Sequence, residues 1–256
     1  MNHAIRCSAA AALACAAFAG RAAEPLSAEA ALSSERLSGG RADWHAAELT
    51  ALWRDPAAWS ASAAVRRTDR FGLIDTQLEA AASIPLGARW RAETELAQSP
   101  TARVLPQWRW RSRVWLLDAA GWNLAAGVGR TLYRSGDATS GSSGAELQVE
   151  RYAGAFRAAW LGSVTRLDAG GTSAAQQWRL NWYPTDTASV GVVLAFGREL
   201  ENVPGVGVLA SRVRAGAITA AWQLAPRWGM NLAVSDHRQG DLYRRMGLRL
   251  GLRHSF

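Results

Sequence analysis

Lysine is absent from the sequence, so all 29 basic residues are arginines. The two cysteines, Cys7 and Cys15, both lie close to the first residue, which excludes a disulfide-stabilised scaffold. No apolar run reaches the ~18 residues that a membrane-spanning helix needs. The aromatic and aliphatic content, including 13 tryptophans, excludes a disordered chain. These absences leave a folded protein that does not use helices to cross a membrane.

The beginning of the chain has the pattern of a secretory signal peptide. Arg6 provides the positive charge, the following stretch is apolar and rich in alanine, and an A-x-A cleavage site ends at Ala19. We therefore predict a signal peptide over 1–19 and a single domain over 20–256. The segment ending at Cys15 loosely resembles a lipoprotein box, so lipidation of that cysteine is the alternative.

Apolar and polar residues alternate with a period of two in the segment from Leu242 to Phe256. Leu248, Leu250 and Leu252 share one face, and arginines and glycines occupy the other. This period is typical of a strand that lies between two different media. The same alternation recurs upstream throughout the chain after residue 26.

Turn signals divide the alternating segments into fourteen predicted strands. Twelve stays open as a count, because the first segment is weakly patterned. Segment 209–223 has apolar residues on both faces, for which we predict a β-bulge. The predicted strands cover 27–37, 43–53, 58–67, 72–84, 88–97, 103–117, 121–134, 144–152, 154–166, 174–183, 187–199, 209–223, 227–238 and 242–256.

Short and long connections alternate between these strands. The predicted long ones are 135–144, 167–172 and 200–208, and tryptophans cluster beside the short ones. Strands of about ten residues, alternately joined in this way, are typical of a transmembrane antiparallel β-barrel with an aromatic girdle at the periplasmic interface. We therefore predict an all-β barrel in the outer membrane of a Gram-negative bacterium. The tryptophans beside short turns are Trp53, Trp59, Trp90, Trp122, Trp182, Trp222 and Trp228.

Five segments carry a family resemblance: 36–44, 70–79, 104–108, 189–202 and 240–243. In these segments the chain resembles the YaiO family of outer-membrane β-barrel proteins. The resemblance implies the location and the fold, and it implies an association with surface polysaccharide, which is the usual suggestion for this family. Barrels of this kind usually end in an aromatic residue. We therefore expect the barrel-insertion machinery to recognise the terminal strand through Phe256.

Arginine dominates the face opposite the apolar one on two predicted strands, 103–117 and 242–256, and neither strand has an inward acid. These arginines line an anion-selective pore or a track for anionic polysaccharide, or they pair with acids on neighbouring strands and close the barrel. Both interpretations stay open for these two strands. The candidate lumen residues are Arg109, Arg111, Arg113, Arg245, Arg249 and Arg253.

Pairing is the expectation for the other inward charges. We expect Asp75 and Glu79 to lie near Arg89 and Arg91, because the two strands that carry them are adjacent in the sequence. Charged residues beside the outer connections are candidates for contact with lipopolysaccharide phosphates. Outer-membrane lipid and lipopolysaccharide are therefore expected partners.

The sequence predicts a passive pore or conduit at the cell surface, for polysaccharide export or anionic solutes. A structural or docking barrel with a salt-bridged lumen is the alternative, and a lipid-modifying enzyme is third. Ser235 and His237 share a face but lie about 6.6 Å apart at ~3.3 Å per residue, beyond hydrogen-bond reach. We predict no catalytic residues, no metal site and no cofactor. Nucleic acid is excluded as a partner, because the arginines alternate along strands and form no continuous patch.

Overall fold

The computed structural model describes residues 25–55, 59–118, 120–135, 138–203 and 207–256. The predicted signal peptide lies outside these residues. Within them, no helix is long and apolar enough to cross a bilayer. The strands are β1 (Leu26–Leu37), β2 (Trp44–Arg54), β3 (Ser60–Arg70), β4 (Leu73–Pro85), β5 (Trp90–Gln98), β6 (Trp108–Leu117), β7 (Trp122–Ser135), β8 (Ala138–Ala153), β9 (Phe156–Leu167), β10 (Thr172–Thr185), β11 (Ala188–Val203), β12 (Gly207–Ala225), β13 (Trp228–Gln239) and β14 (Tyr243–Ser255).

The strands form a closed antiparallel barrel in which each strand pairs with its sequence neighbours. Pairing of β1 with β14 closes the ring, with Leu32 opposite Leu250. Closure leaves no unpaired sheet edge among the fourteen described strands, which a membrane requires because lipid cannot form hydrogen bonds with free backbone groups. The predicted all-β barrel is confirmed, and its strand count is fourteen.

The period of two gives the barrel two chemically different faces. Large apolar side chains point outward and stay exposed, among them Leu32 at 67%, Ile218 at 61% and Leu248 at 53%. The alternate residues point into the lumen and carry most of the strand charges. An apolar outer wall around a polar interior is the arrangement of a membrane barrel and the inverse of a soluble one.

Tryptophans mark one rim of the barrel, beside the short turns. Trp53, Trp90, Trp122, Trp182 and Trp228 lie near strand ends at this rim, and each is between 40% and 49% exposed. Short turns and aromatic girdles are features of the periplasmic side of outer-membrane barrels, so we call this end the periplasmic rim. The opposite end is the extracellular mouth, which carries the two longest connections, 38–43 and 99–107.

Four predicted strand ends are wrong at the extracellular mouth. Strand β6 begins at Trp108 and not at residue 103, because the preceding segment is bound as a loop by a carboxylate of β4. Strand β8 already begins at Ala138. Strand β11 continues to Val203, and β12 already begins at Gly207. The polar residues that suggested long loops over 135–144 and 200–208 therefore lie largely in strands. Backbone pairing continues there because interstrand hydrogen bonds do not require apolar side chains.

The β-bulge predicted within 209–223 does not form. Strand β12 pairs without a shift from Val213 to Gln223 against β13, and its only register shift comes after Gln223. Ile218 points outward, so the odd-numbered Val213, Ala215 and Ala217 face the lumen. Small apolar residues are tolerated on both faces of this strand, which is why its sequence pattern is ambiguous.

Candidate functional site

All six arginines predicted to face the lumen do so. Arg109, Arg111 and Arg113 alternate on β6 with outward residues such as Trp108 and Val114, which are 36% and 43% exposed. On β14, Arg245, Arg249 and Arg253 alternate with the outward leucines. The period-of-two argument therefore assigned these side chains to the correct face.

The β6 arginines are paired with glutamates. The Arg111 guanidinium lies 2.7 Å from Glu95 and the Arg113 guanidinium 2.9 Å from Glu93, both on the adjacent strand β5. Arg109 lies 3.5 Å from Glu79 of β4. For this strand the structure thus supports the pairing interpretation that the sequence left open.

Glu79 reaches Arg109 across β5, and a second acid reaches the β6 arginines across the strand on their other side. Glu146 of β8 lies 3.6 Å from Arg111 and 3.8 Å from Arg113, although β7 separates the two strands. Gly127 of β7 provides the space, because a Cβ there would lie 3.0 Å from both Arg113 and Glu146. Sequence reasoning missed this contact, and the glycines on the lumen face of β7 were its only signal.

Two of the β14 arginines pair with glutamates of β1 and β2, the strands that follow β14 around the ring. Arg245 lies 3.2 Å from Glu35 of β1. Arg249 lies 2.9 Å from Glu29 of β1 and 3.3 Å from Glu48 of β2. Arg249 and Glu29 therefore join the last and first strands inside the lumen.

The predicted pairing of Asp75 and Glu79 with Arg89 and Arg91 is wrong. Glu79 meets Arg109, and the Arg91 guanidinium donates to the Ser83 hydroxyl at 3.2 Å. Asp75 accepts hydrogen bonds from a loop. The prediction failed because side chains on adjacent strands meet only where the strand register brings them level.

Asp75 holds the loop 99–107, which joins β5 to β6 at the extracellular mouth. Its carboxylate accepts from the Thr101 hydroxyl at 2.6 Å and from the backbone N–H groups of residues 103, 104 and 105 at 3.0, 2.6 and 2.8 Å. Asp75 and Ser99 are both fully buried. One carboxylate therefore fixes four donors of a segment that has no strand pairing of its own.

An aromatic cluster packs at the same mouth, next to the closure of the barrel. Trp44 is 2% exposed, and Phe71 and Tyr243 meet it edge-on with centroid distances of 5.1 and 5.9 Å. The guanidiniums of Arg70 and Arg245 lie 4.6 and 4.7 Å from the Trp44 ring centroid. Cation–π contacts of this kind hold the arginines over the mouth and narrow it on this side.

A cavity of about 420 Å³ opens in the lumen beside β5, β6 and β8–β10. Its charged lining includes Arg91, Arg113, Arg157, Arg179 and Glu150. Arg157 pairs with Glu150 in a short contact. Arg91 and the inward Arg54, both near the periplasmic rim, make no ion pair with any described residue. The periplasmic part of the lumen therefore carries arginine charge that the described acids do not neutralise.

Ser235 and His237 both point into the lumen from β13, opposite Gly247 and Arg245 of β14. No hydrogen bond joins them within the described chain. They share a face, as the sequence predicted, and the geometry adds no support for a nucleophile and base pair.

No family model matches this chain, and no curated protein does. Solved structures with the same fold cover most of it. The anion-selective porin from Comamonas acidovorans matches with a TM-score of 0.52 and 10% identity over 90% of this chain and 98% of its own. The CymD monoaromatic hydrocarbon channel matches with a TM-score of 0.58 and 8% identity over 90% and 88%.

A third similar structure is the translocator domain of the autotransporter NalP from Neisseria meningitidis. It matches with a TM-score of 0.53 and 12% identity, over 91% of this chain and 88% of its own. At these identities the likeness shows the fold alone. Together with the closed ring of fourteen strands and the apolar outer wall, that fold is the fold of a bacterial outer-membrane β-barrel.

Proposed function

We propose that the barrel is a passive, water-filled pore with a preference for anionic solutes. The width of the ring carries this proposal. Fourteen strands spaced ~4.8 Å apart and tilted by ~40° enclose a cylinder roughly 28 Å across between backbones. Inward side chains from opposite walls cannot fill that width, unlike those of an eight-stranded barrel.

The exposure of the lumen ion pairs supports a wet interior. The side chains of Arg109 and Glu79 keep 29% and 32% of their surface accessible, and those of Arg111 and Glu95 keep 24% and 31%. A lumen sealed by salt bridges would bury both partners. These pairs lie along the inner wall of the barrel, and the side that faces the lumen stays in contact with solvent.

Arg54 and Arg91 supply the selectivity. Because the described acids do not neutralise these guanidiniums, they raise the local concentration of anions at the periplasmic entrance. The porin from Comamonas is named as anion-selective, and CymD is named as a channel. The same fold can therefore support the transport of small solutes. We propose this role for the present chain.

We further propose that the solute is an acidic polysaccharide. It follows from the resemblance to the YaiO family, which we propose as the family of this chain. An extended glycan bearing carboxylates fits a lumen that combines guanidiniums with an inward indole such as Trp115. Arginine binds carboxylates through two parallel hydrogen bonds.

A structural or docking barrel is the second candidate, because the mouth is narrowed. The Trp44 cluster and the Asp75-bound loop both lie at the extracellular end. If they meet across the opening, solutes cannot pass and the barrel acts through its surface.

Single-channel conductance in a planar bilayer, measured in a potassium chloride gradient, tests the pore. We expect steady current steps and a reversal potential that shows anion preference. In the variant Arg54→Gln/Arg91→Gln the preference should fall by about half, because two uncompensated charges are lost.

The control is Arg67→Gln/Arg134→Gln, which removes two exposed, outward arginines and should keep the preference. Heat-dependent gel mobility verifies that each protein is folded. Silence from a folded barrel would overturn the pore and leave the docking role. Equal selectivity in both variants would overturn the assignment of Arg54 and Arg91.

A further inference from the structure

Five arginines point outward on four consecutive strands near the extracellular mouth. Arg198 of β11 lies directly opposite Arg212 of β12. Arg214 of β12 lies opposite Arg238 of β13, which lies opposite Arg244 of β14. We call these five residues the arginine row. Their strand positions share the outer face with Ile218, Val234 and Met246, which are exposed.

Opposition of like charges in neighbouring strands destabilises a sheet unless a counterion lies between them. Only two acids of the described chain form ion pairs with residues of the arginine row. Arg244 binds Asp236 at 2.7 Å, and Arg238 lies 3.5 Å from Asp241. Arg198, Arg212 and Arg214 have no ion-pair partner among the described residues. Three of the five arginines are therefore not neutralised by described acids, and the row carries a concentrated net positive charge.

The height of the arginine row is the height of the lipid headgroups. Ala188 and Trp222 face each other near the periplasmic rim, and Arg198 and Arg212 face each other ten residues further along the same strands. The facing pair Trp228 and His254 lies ten residues from Arg238 and Arg244 in the same way. Ten residues at ~3.3 Å and a tilt of ~40° rise about 25 Å, which is the height of the apolar band of an outer-membrane barrel.

An apolar groove of about 690 Å³ lies on the outer wall next to the row, across β8–β11. Its outward lining includes Leu147, Trp160, Val164, Ala174 and Phe196. Phe196 is two residues from Arg198 and directly opposite Arg214. The groove therefore leads from the arginine row toward the centre of the membrane, as an acyl chain does below its headgroup.

We propose that this face binds one phosphorylated lipid of the outer leaflet, with its phosphates on the arginine row and an acyl chain in the groove. Guanidiniums bind phosphate oxygens through paired, charge-assisted hydrogen bonds, and the facing arginines present several such forks side by side. A phosphate between them also removes the like-charge repulsion. The proposal is independent of whether the lumen conducts.

Native mass spectrometry of the purified protein in phosphatidylcholine nanodiscs tests the site, with bis-phosphorylated lipid A as the probe. We expect one lipid A to bind per barrel. The variant Arg198→Gln/Arg212→Gln should bind about tenfold more weakly, since it loses charge-assisted hydrogen bonds. The matched control Arg67→Gln/Arg134→Gln removes the same charge from outward positions that face Thr76 and Thr139, and it should bind normally.

Two further arms separate the headgroup from the acyl chain. Ala174→Phe fills the groove without changing charge, so it should weaken lipid A binding; unchanged binding would exclude the groove. Inorganic phosphate at millimolar concentration should not displace the lipid, and displacement would show a free-anion site instead. Equal losses in the two arginine variants would overturn the proposal, because bulk surface charge would then explain the binding. If the Gln variant does not fold, the variant Arg198→Lys/Arg212→Lys replaces it. This variant keeps the charge but loses the paired hydrogen bonds, so we expect its affinity for lipid A to be intermediate.

Discussion

At the residue scale, Asp75 controls a structure that lies far from it in the sequence. Its two oxygens accept from Thr101 and from three consecutive backbone N–H groups, so the loop 99–107 has a fixed conformation without regular pairing. In either orientation, the amide of an Asn at this position would turn its NH2 toward at least one of the three backbone N–H groups that now bind the carboxylate. Two donors would then oppose each other in a buried place.

We therefore expect Asp75→Asn to release the loop. Trypsin should cleave after the exposed Arg103 about tenfold faster, because local opening costs less once charge-assisted hydrogen bonds are lost. Single-channel conductance should rise in the same variant. Asp69→Asn, on the outer face of β3 at the same end, is the control and should change neither. A loop that stays resistant in Asp75→Asn would contradict the role assigned to this carboxylate.

At the scale of elements, the connection between β9 and β10 is tied to β7. Arg130 of β7 donates to both oxygens of Asp168 at 2.6 and 2.5 Å, and Gly141 of β8 leaves room for this contact. The hydrogen bond from the Arg130 guanidinium lowers the pKa of Asp168 below its usual value. Because the folded-state pKa is the lower one, this stabilisation is complete above the ordinary pKa of aspartate and is lost as the pH falls through the folded value.

The expected effect of Asp168→Asn is confined to this corner of the barrel. Amide hydrogens of residues 168–171 should be less protected from exchange at neutral pH, and their protection relative to the intrinsic exchange rate should no longer fall on acidification below about pH 4. The rest of the barrel should exchange as before, because the pair is exposed to solvent and contributes little to global stability. Slower exchange in the variant, or protection that still falls on acidification as it does in the unchanged protein, would argue against the role of the Arg130–Asp168 pair.

At the scale of the whole molecule, closure joins the two ends of the chain. Backbone pairing of β1 with β14 is reinforced in the lumen by Arg249, which meets Glu29 of β1 and Glu48 of β2. Arg249→Gln leaves both glutamates without this partner. We expect a loss of about 1–3 kcal/mol in the free energy of unfolding, seen as a lower temperature of the gel-mobility transition. Removing Glu29 and Glu48 together with Arg249 should restore part of the loss; no recovery would assign the effect to packing.

Much of the barrel was predictable because it follows from a local rule. A strand between lipid and water must alternate, so the sequence indicated the strands, the residues on most of their faces and the tryptophans of the periplasmic rim, while it left twelve or fourteen open as the strand count. It also determined that Arg109 and Arg249 face inward. The errors at residues 103–107, 135–144 and 200–208 arose where polarity was interpreted as a loop although backbone pairing continued, or where a loop was held by a distant carboxylate.

The tertiary structure alone decided which charges meet. Arg111 and Glu146 belong to strands that are not neighbours, and their contact depends on the absence of a side chain at Gly127 between them. Arg198 lies opposite Arg212 only in the observed register of β11 against β12. A shift of one residue would turn the side chains of one strand to the other face of the sheet. Alternation is a property of one strand and can be recognised in its sequence. Register is a relation between strands, fixed by their pairing around the whole ring, and it therefore exists only in the folded barrel.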